Sequence, residues 1–467
     1  MKTKGESGMA SFFSPAHKAK PAKTIDLTTG SIAGGILTFA WPVFLGQLLQ
    51  QFYNMADAWV IGNFADNDSF AAVSSGGSLT MLIIGLFSGI ALGGGVVISR
   101  YYGAHDTENL RKAIHTNILF GLVAALACTA LGLLAVPQLL VWMKTPASVM
   151  PQSLAYFRIY FGGVSTVILY NTFMAIMRAL GDSLHPLYYL IISSLTNVAL
   201  DLVFVAGFHW GVTGAAVATV FSQGLSAVLC LVRMLRAQDE SRLELCRLRW
   251  DGPLMAQVIR QGLPTGVQNS VISMGNMVVQ TSVNSFGAYA MSGFGAYAKI
   301  EGLVFLPIVS MAMSLPTFVS QNLGAGQPLR AKKGAYFGVA AGMLVSELIG
   351  VAMYFGAPQA LRFFVDSPEA IAYGTVHIRT VSLFFFLLAF SNCTAGVLRG
   401  CGRSLVPMIV MLTFWCGVRI LYVTTALRYF PVFQTISWAY PLTWSLSGVV
   451  YVLFLARMDW SAAARRL

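Results

Sequence analysis

Four side chains in two short stretches could do chemistry in this sequence: Tyr53 and Asp57 in QQFYNMADAWVIGNF, and Asn197 and Asp201 in LTNVALDLVFV. Each stretch places a carboxylate four residues from a hydrogen-bonding neighbour, so both groups lie on one face of a helix. The surroundings read as membrane-spanning, and an ionised acid in hydrocarbon costs at least roughly 2–3 kcal/mol. Counted from outer helix ends near Asn63 and His209, both acids sit about 9–12 Å deep, so they can meet at one level. Two carboxylates that meet in an apolar setting resist double ionisation. Such a pair can hold and release a proton, or accept sodium through its oxygens. The competing reading is structural: acids that face water near helix ends, or polar contacts that glue helices together.

The elements that must position these groups are membrane helices. Of the 467 residues, 56% are hydrophobic and 10% charged, against about 45–50% and about 25% in soluble domains. Twelve apolar segments run from residues 34–62 to 434–457, each long enough for the ~20 residues of a spanning helix. With the N-terminus inside, 23 of the 30 Lys and Arg residues fall in inside sequences. The outside loops NFADNDSF, GFHW and NSFGAY have none, which assigns both termini to the cytoplasm. The net charge of +12 is then a topology signal and not a nucleic-acid footprint. Six scattered cysteines form no CxxC pair and no zinc pattern. The polar first 31 residues are expected to form a flexible tail.

The chain is duplicated. MRALGDSLHP, from Met177, returns as LRGCGRSLVP, from Leu398, and SRYYGAHDTENLRKA, from Ser99, as SQNLGAGQPLRAKKG, from Ser320, both at an offset of 221. Pro42 pairs with Pro264 one residue out of step. Six segments per repeat start both halves on the same side, which makes the repeats parallel, as in many secondary transporters. We expect a tail over 1–31, an N-lobe over 32–237, a cytoplasmic linker over 238–252, a C-lobe over 253–458 and a cytoplasmic C-terminus over 459–467. The repeat also tests the acids: the twin of Asp57 is Val278 or Val279, that of Asp201 is Tyr422, and that of Asn197 is Val418. Polarity confined to one copy favours function over architecture.

The second half has its own charges, Lys299 and Glu301 in the eighth segment and Arg419 in the eleventh. A neutralising pair such as Glu301 with Arg419 is the expected arrangement, because buried membrane charges generally pair; the sharper alternative is contact with substrate. Twenty methionines and 12% aromatics can line a cavity that adapts to hydrophobic, often cationic guests, although most must be packing residues. No nucleophile–base pair or metal motif points to an enzyme. The histidines, His105, His115 and His185 among them, read as loop or interface residues.

The twelve-segment pattern, YNMAD, RALGDSLHP and GVTGAA together resemble the multidrug and toxic compound extrusion (MATE) family. The likeness is greatest to the branch with an essential acid in helix one. The resemblance implies an all-α membrane protein of twelve helices in two six-helix lobes, V-shaped, that exports amphipathic organic compounds in exchange for H⁺ or Na⁺. It implies a cation site at Asp57, Tyr53, Asp201 and Asn197, extended to Tyr156 and Thr219, with no further cofactor. A bend at Pro42 would couple the site to the lobes, since proline removes a backbone hydrogen bond. The branch that uses acids in helices seven and ten is not matched, because 256–284 and 374–398 contain no Asp or Glu. The expected setting is the inner membrane, as a monomer, with small organic molecules as partners. A flippase for lipid-linked oligosaccharide is the rival; its anionic cargo would want more embedded bases than Lys299, Arg379 and Arg419.

Overall fold

The computed structural model describes residues 25–64, 67–142, 145–146, 148–237, 242–244 and 248–465, with backbone alone over 67–84. Residues 1–24 of the expected tail and much of the linker lie outside the described residues. In the first half, α1 (Ile32–Phe64), α2 (Asn67–Gly103) and α3 (Thr107–Trp142) are long and continuous. They are followed by α4 (Met150–Gly162), α5 (Val164–Ala179), α6 (Leu184–Asp201) and α7 (Gly211–Arg236). The second half comprises α8 (Gly252–Asn284), α9 (Ala288–Val304), α10 (Leu306–Gly324), α11 (Pro328–Arg362), α12 (Pro368–Val381) and α13 (Phe385–Gly400). It ends with α14 (Leu405–Met411), α15 (Arg419–Tyr429), α16 (Phe433–Ala456) and a short α17 (Trp460–Ala464).

Among the described residues, eight helices or joined helices are long and apolar enough to cross a bilayer. Two pairs bent by 42°, α4 with α5 and α9 with α10, raise that to ten. Pro42 and Pro264 lie inside α1 and α8, which run through them as continuous helices; the bends above 40° fall elsewhere. Six-residue and seven-residue π-helical stretches, Leu202–Gly207 after α6 and Leu412–Val418 before α15, widen the backbone in both halves. Such bulges are frequent at functional sites.

The repeated motifs are turns that reverse the chain. Gly181 (φ 85°) and Gly402 (φ 74°) occupy the same left-handed position 221 residues apart, where a side chain is strained. Asp182 then caps α6, accepting from the His185 amide at 3.1 Å and lying 2.7 Å from its Nδ1.

The halves meet at backbone level at the end that carries the termini. A Cβ at Gly89 or Gly93 of α2 would overlap the amide nitrogens of Gly266 or Gly262 of α8. Nearer the termini, a Cβ at Gly103 would overlap the Gln321 carbonyl, and one at its twin Gly324 the Arg100 carbonyl. Hydrogen bonds lock the same seam: Ser320 Oγ donates to Val96 O at 2.7 Å, and Gln321 Nε2 to Ala179 O at 2.8 Å. Small residues permit this approach where helices cannot rely on water to drive them together.

Residues 25–31, expected to belong to a flexible tail, are ordered. Leu27 is fully buried in the second-half core. Its carbonyl accepts from Asn322 Nδ2 at 3.1 Å, while Arg330 Nη1 donates to Gly30 O at 2.8 Å. Apolar burial and these backbone bonds offset the entropy of ordering the strap.

The seam yields a direct test. Gly93→Leu should lower the stability of the purified protein in detergent, followed by thermal unfolding, by more than about 2 kcal/mol, because neither backbone can yield. Gly356→Ala in α11, where a Cβ meets nothing within 4 Å, should leave it unchanged or raised by up to about 1 kcal/mol. Equal behaviour of the two variants would contradict a backbone-level seam.

Candidate functional site

Four elements of the first half converge around the two acids. Gly163, between α4 and α5, has no side chain to keep Val220 of α7 away, which brings Thr219 towards α4. Ser193 Oγ of α6 donates to Ser222 O of α7 at 2.7 Å, and Ser222 Oγ to Thr219 O at 2.9 Å. These ties hold one turn of α6, and thus Asn197 and Asp201, against α7. On the far side Val60, Ile61, Val205 and Ala215 form a small buried cluster that separates the acids from the nearby helix ends.

Tyr53, Asp57, Asp201, Tyr156 and Thr219 are brought together, and Asn197 lies one turn before Asp201 on α6. Asp57 and Asp201 interact directly through their carboxyl groups. The Tyr53 hydroxyl lies within reach of Thr219 and in the field of both acids, and Tyr156 faces the same cluster. Asp201 and Asn197 are both 0% exposed. Neither oxygen of Asp201, neither terminal atom of Asn197, nor Oδ1 of Asp57 has a hydrogen-bond partner. A buried polar group without a partner is costly, and here four acceptor oxygens of two facing acids share the space. A bridging proton, or a small cation coordinated by these oxygens with the Asn197 carbonyl, would remove the conflict. Among the described residues no group of three His, Cys, Asp or Glu could hold a metal ion.

One neighbour was not anticipated. Tyr160 stacks on Tyr156 with centroids 6.0 Å apart and acts electrostatically on both tyrosines of the site. The four-residue spacing from Tyr156 was the available signal.

In the second half the expected direct pair of Glu301 with Arg419 is not made. Among the described residues the ion pairs are Lys112 with Glu108 and His185 with Asp182. Arg419, 2% exposed, donates Nη1 to Asn276 Oδ1 at 3.3 Å and Nη2 to Thr443 Oγ1 at 3.2 Å. Its guanidinium sits 4.5 Å from the Tyr440 ring centroid and 5.6 Å from that of Trp415. Glu301 instead accepts from the Tyr297 hydroxyl at 2.8 Å and feels Arg419 as a field. Aromatic faces and neutral acceptors thus take the place of the carboxylate. Lys299 is exposed and lies 5.7 Å over Phe364, apart from this cluster. His377, buried against Tyr297 with ring centroids 4.3 Å apart and bonded to Ser437 Oγ at 2.8 Å, belongs to it and was missed. Its position as the lone histidine of an apolar segment was the signal.

The two halves face each other with matched polar stripes. Gln47, Gln51 and Asn54 on α1 recur as Asn269, Ser273 and Asn276 on α8, each at an offset of 222. Gln47 approaches Met313 of α10 at 3.7 Å, and a Cβ at Gly302 of α9 would lie 3.4 Å from Gln51 Nε2. Asn269 lies against Gly85 of α2. Stripes of amides on the inter-half faces fit a water-accessible cleft better than lipid.

A helical bundle built twice, with polar faces turned inward and the halves sealed together at one end, is the architecture of a membrane transporter. The family model described as MatE matches residues 42–203 and again 264–423, and the chain belongs to the MATE family, whose members are transporters and not enzymes. It is 26% identical to the "Probable multidrug resistance protein YpnP" of Bacillus subtilis (strain 168), over 84% of this chain and 88% of that protein. It is 21% identical to the "FAD transporter" of Shewanella oneidensis, over 83% and 86% of the two chains. A solved structure described as "Outward-facing conformation of a multidrug resistance MATE family transporter of the MOP superfamily" superposes with a TM-score of 0.88. It is 21% identical and covers 96% of this chain and 100% of its own.

The orphaned polar atoms separate function from glue. The double substitution Asn197→Leu with Asp201→Leu should leave thermal stability in sodium-free detergent unchanged, or raise it by about 1–3 kcal/mol, since unsatisfied buried groups are replaced by packing. A fall of that size would show that the cluster holds the helices together.

Proposed function

We propose that the chain is a multidrug efflux antiporter that exports amphipathic, often cationic organic compounds in exchange for H⁺ or Na⁺. The carrying observation is the meeting of Asp57 and Asp201 as acceptors with no donor between them. The family's relatives support the cargo class, since several are named for multidrug resistance and export. Exposed Phe52 and Met55 of α1 are matched by exposed Met274 and Met277 of α8, each at the offset of 222. These soft apolar surfaces beside amides suit amphipathic guests.

In this reading α2 and α8 complete twelve crossings, residues 32–237 and 253–458 form the two lobes, and the protein works as a monomer. The basic termini-bearing face is cytoplasmic in the inner membrane, so the glycine seam closes the inner side and the cleft faces out. An entering cation would bridge Asp57 and Asp201, with Asn197, Tyr53 and Thr219 able to complete its shell and Tyr156 to shape the wall. Drawing Asp57 towards Asp201 moves α1, and with it the stripe of Gln47, Gln51 and Asn54 that faces the cargo path. Cargo and cation then exclude one another through one helix, which is what exchange requires.

Dye efflux from proteoliposomes tests this. Wild type should expel a cationic dye under an imposed pH gradient or an imposed sodium gradient, and the effective gradient names the ion. Asp57→Asn, which keeps shape and removes the titratable charge, should fall to the rate of protein-free liposomes under that gradient while its unfolding midpoint is retained. Wild-type efflux from the variant would remove Asp57 from the coupling site.

A further inference from the structure

At the termini-bearing end of the seam, three buried or half-buried arginines have no acid as ion-pair partner among the described residues. Arg100, 7% exposed, donates Nη2 to the carbonyls of Ala463 and, at 2.9 Å, Ala464 of α17. Its buried Nε meets no acceptor, and the same is true of the buried Nε atoms of Arg178 and its repeat twin Arg399. Arg399 Nη2 reaches Gln268 Oε1 at 3.4 Å. None of the three takes part in an ion pair among the described residues. A guanidinium withdrawn from water and bonded to neutral acceptors recovers little of its desolvation cost, so this seam carries uncompensated positive charge.

Beside Arg100 a cavity of about 510 Å³ opens between the halves. Arg100 lines it from α2; Gln257 and Arg260 line it from α8, Cys401 and Gly402 from the turn after α13, and among the described residues no Asp or Glu is in the lining. Gln261 is committed elsewhere, donating to Gly402 O and accepting from Ser404 Oγ, both at 2.8 Å. Arg260 and Gln257 are exposed, so a guanidinium fork and amide donors are available opposite a buried cation.

We propose that this cavity is a binding site for a phosphate-type anion, bridged between Arg100 of the first half and Arg260 of the second, that holds this end of the transporter closed. Guanidinium forks match phosphate oxygens in bidentate geometry, and the anion supplies the counter-charge that Arg100 lacks. Because the two arginines belong to different halves, an anion held by both binds the closed arrangement better than an open one and shifts the population towards it. The headgroup of an anionic phospholipid and a free phosphate share this chemistry. The site does not depend on which ion drives export.

Binding is measured on the full-length protein in neutral detergent, as the rise in unfolding midpoint with added inorganic phosphate or short-chain phosphatidylglycerol. Sodium chloride of equal ionic strength and short-chain phosphatidylcholine serve as baselines. A rise with phosphate identifies a free anion, and a rise with phosphatidylglycerol alone identifies a lipid headgroup; either supports the site. Arg260→Gln should raise the half-effective concentration roughly tenfold, the loss of one charge-assisted hydrogen bond, with Arg260→Lys intermediate. Arg260 lies on the exposed face of α8, so this variant is expected to fold where Arg100→Gln, which also loosens α17, would leave the cause open. No rise above both baselines, or an unchanged response in Arg260→Gln, overturns the proposal.

Discussion

The closest approach of two helices across the seam sets what the rest of the molecule can do. Where α2 meets α8, and where the ends of α2 and α10 meet, glycines bring backbone against backbone. Packed at that distance, α2 and α8 tie the two halves together, and α1 adds a further contact with α9 and α10. The contact is itself symmetric: Gly103 on the Gln321 carbonyl mirrors Gly324 on that of Arg100, two pairs related by the repeat. A contact related in this way by a pseudo-two-fold can come apart as a unit, which suits rocking about an axis between halves.

Upon this common scaffold the halves carry different chemistry. In the first, two acids meet without a donor; in the second, an arginine is satisfied by Asn276, Thr443 and ring faces while Glu301 takes a tyrosine hydroxyl nearby. The first arrangement leaves buried acceptors unmet; the second is largely self-contained. Both lie beside a π-helical stretch, after Asp201 and before Arg419, where the displaced backbone register turns a polar side chain inward within an otherwise apolar helix.

Much of this was legible in the sequence because membrane helices write their length and one-sided polarity directly into composition. The four-residue pairs Tyr53 with Asp57 and Asn197 with Asp201 needed helical geometry alone, and the 221-residue repeat separated scaffold glycines from acids that have no twin. Less legible were contacts that depend on packing angle. Nothing local marks Gly89 and Gly262 as seam glycines among 45, since the property belongs to the pair of helices. The expected Glu301–Arg419 pair failed for a related reason: aromatic faces compete for a guanidinium as well as carboxylates do, and ring placement is tertiary. Residues 25–30 read as tail because their composition is polar, although one buried leucine and a row of backbone acceptors suffice to strap them down.

Under the proposed exchange, the geometry of α1 would let an ion in one half be felt between the halves. At about 100° per residue, Gln47, Gln51 and Asn54 share one face, and Tyr53 and Asp57 share another roughly a quarter to a third of a turn away. The first face looks at α9 and α10, the second at α6 and α7. A helix clamped on one face by a transient ligand and exposing its other face to a cleft must transmit any shift or rotation between them. Its twin α8 has the stripe, yet offers Gly275 and Val279 where α1 has Tyr53 and Asp57. It also makes the glycine seam with α2. Under the proposed exchange one first helix is equipped to respond and its copy to stay, an asymmetry that would let a duplicated fold convert binding at a single site into relative motion of its halves.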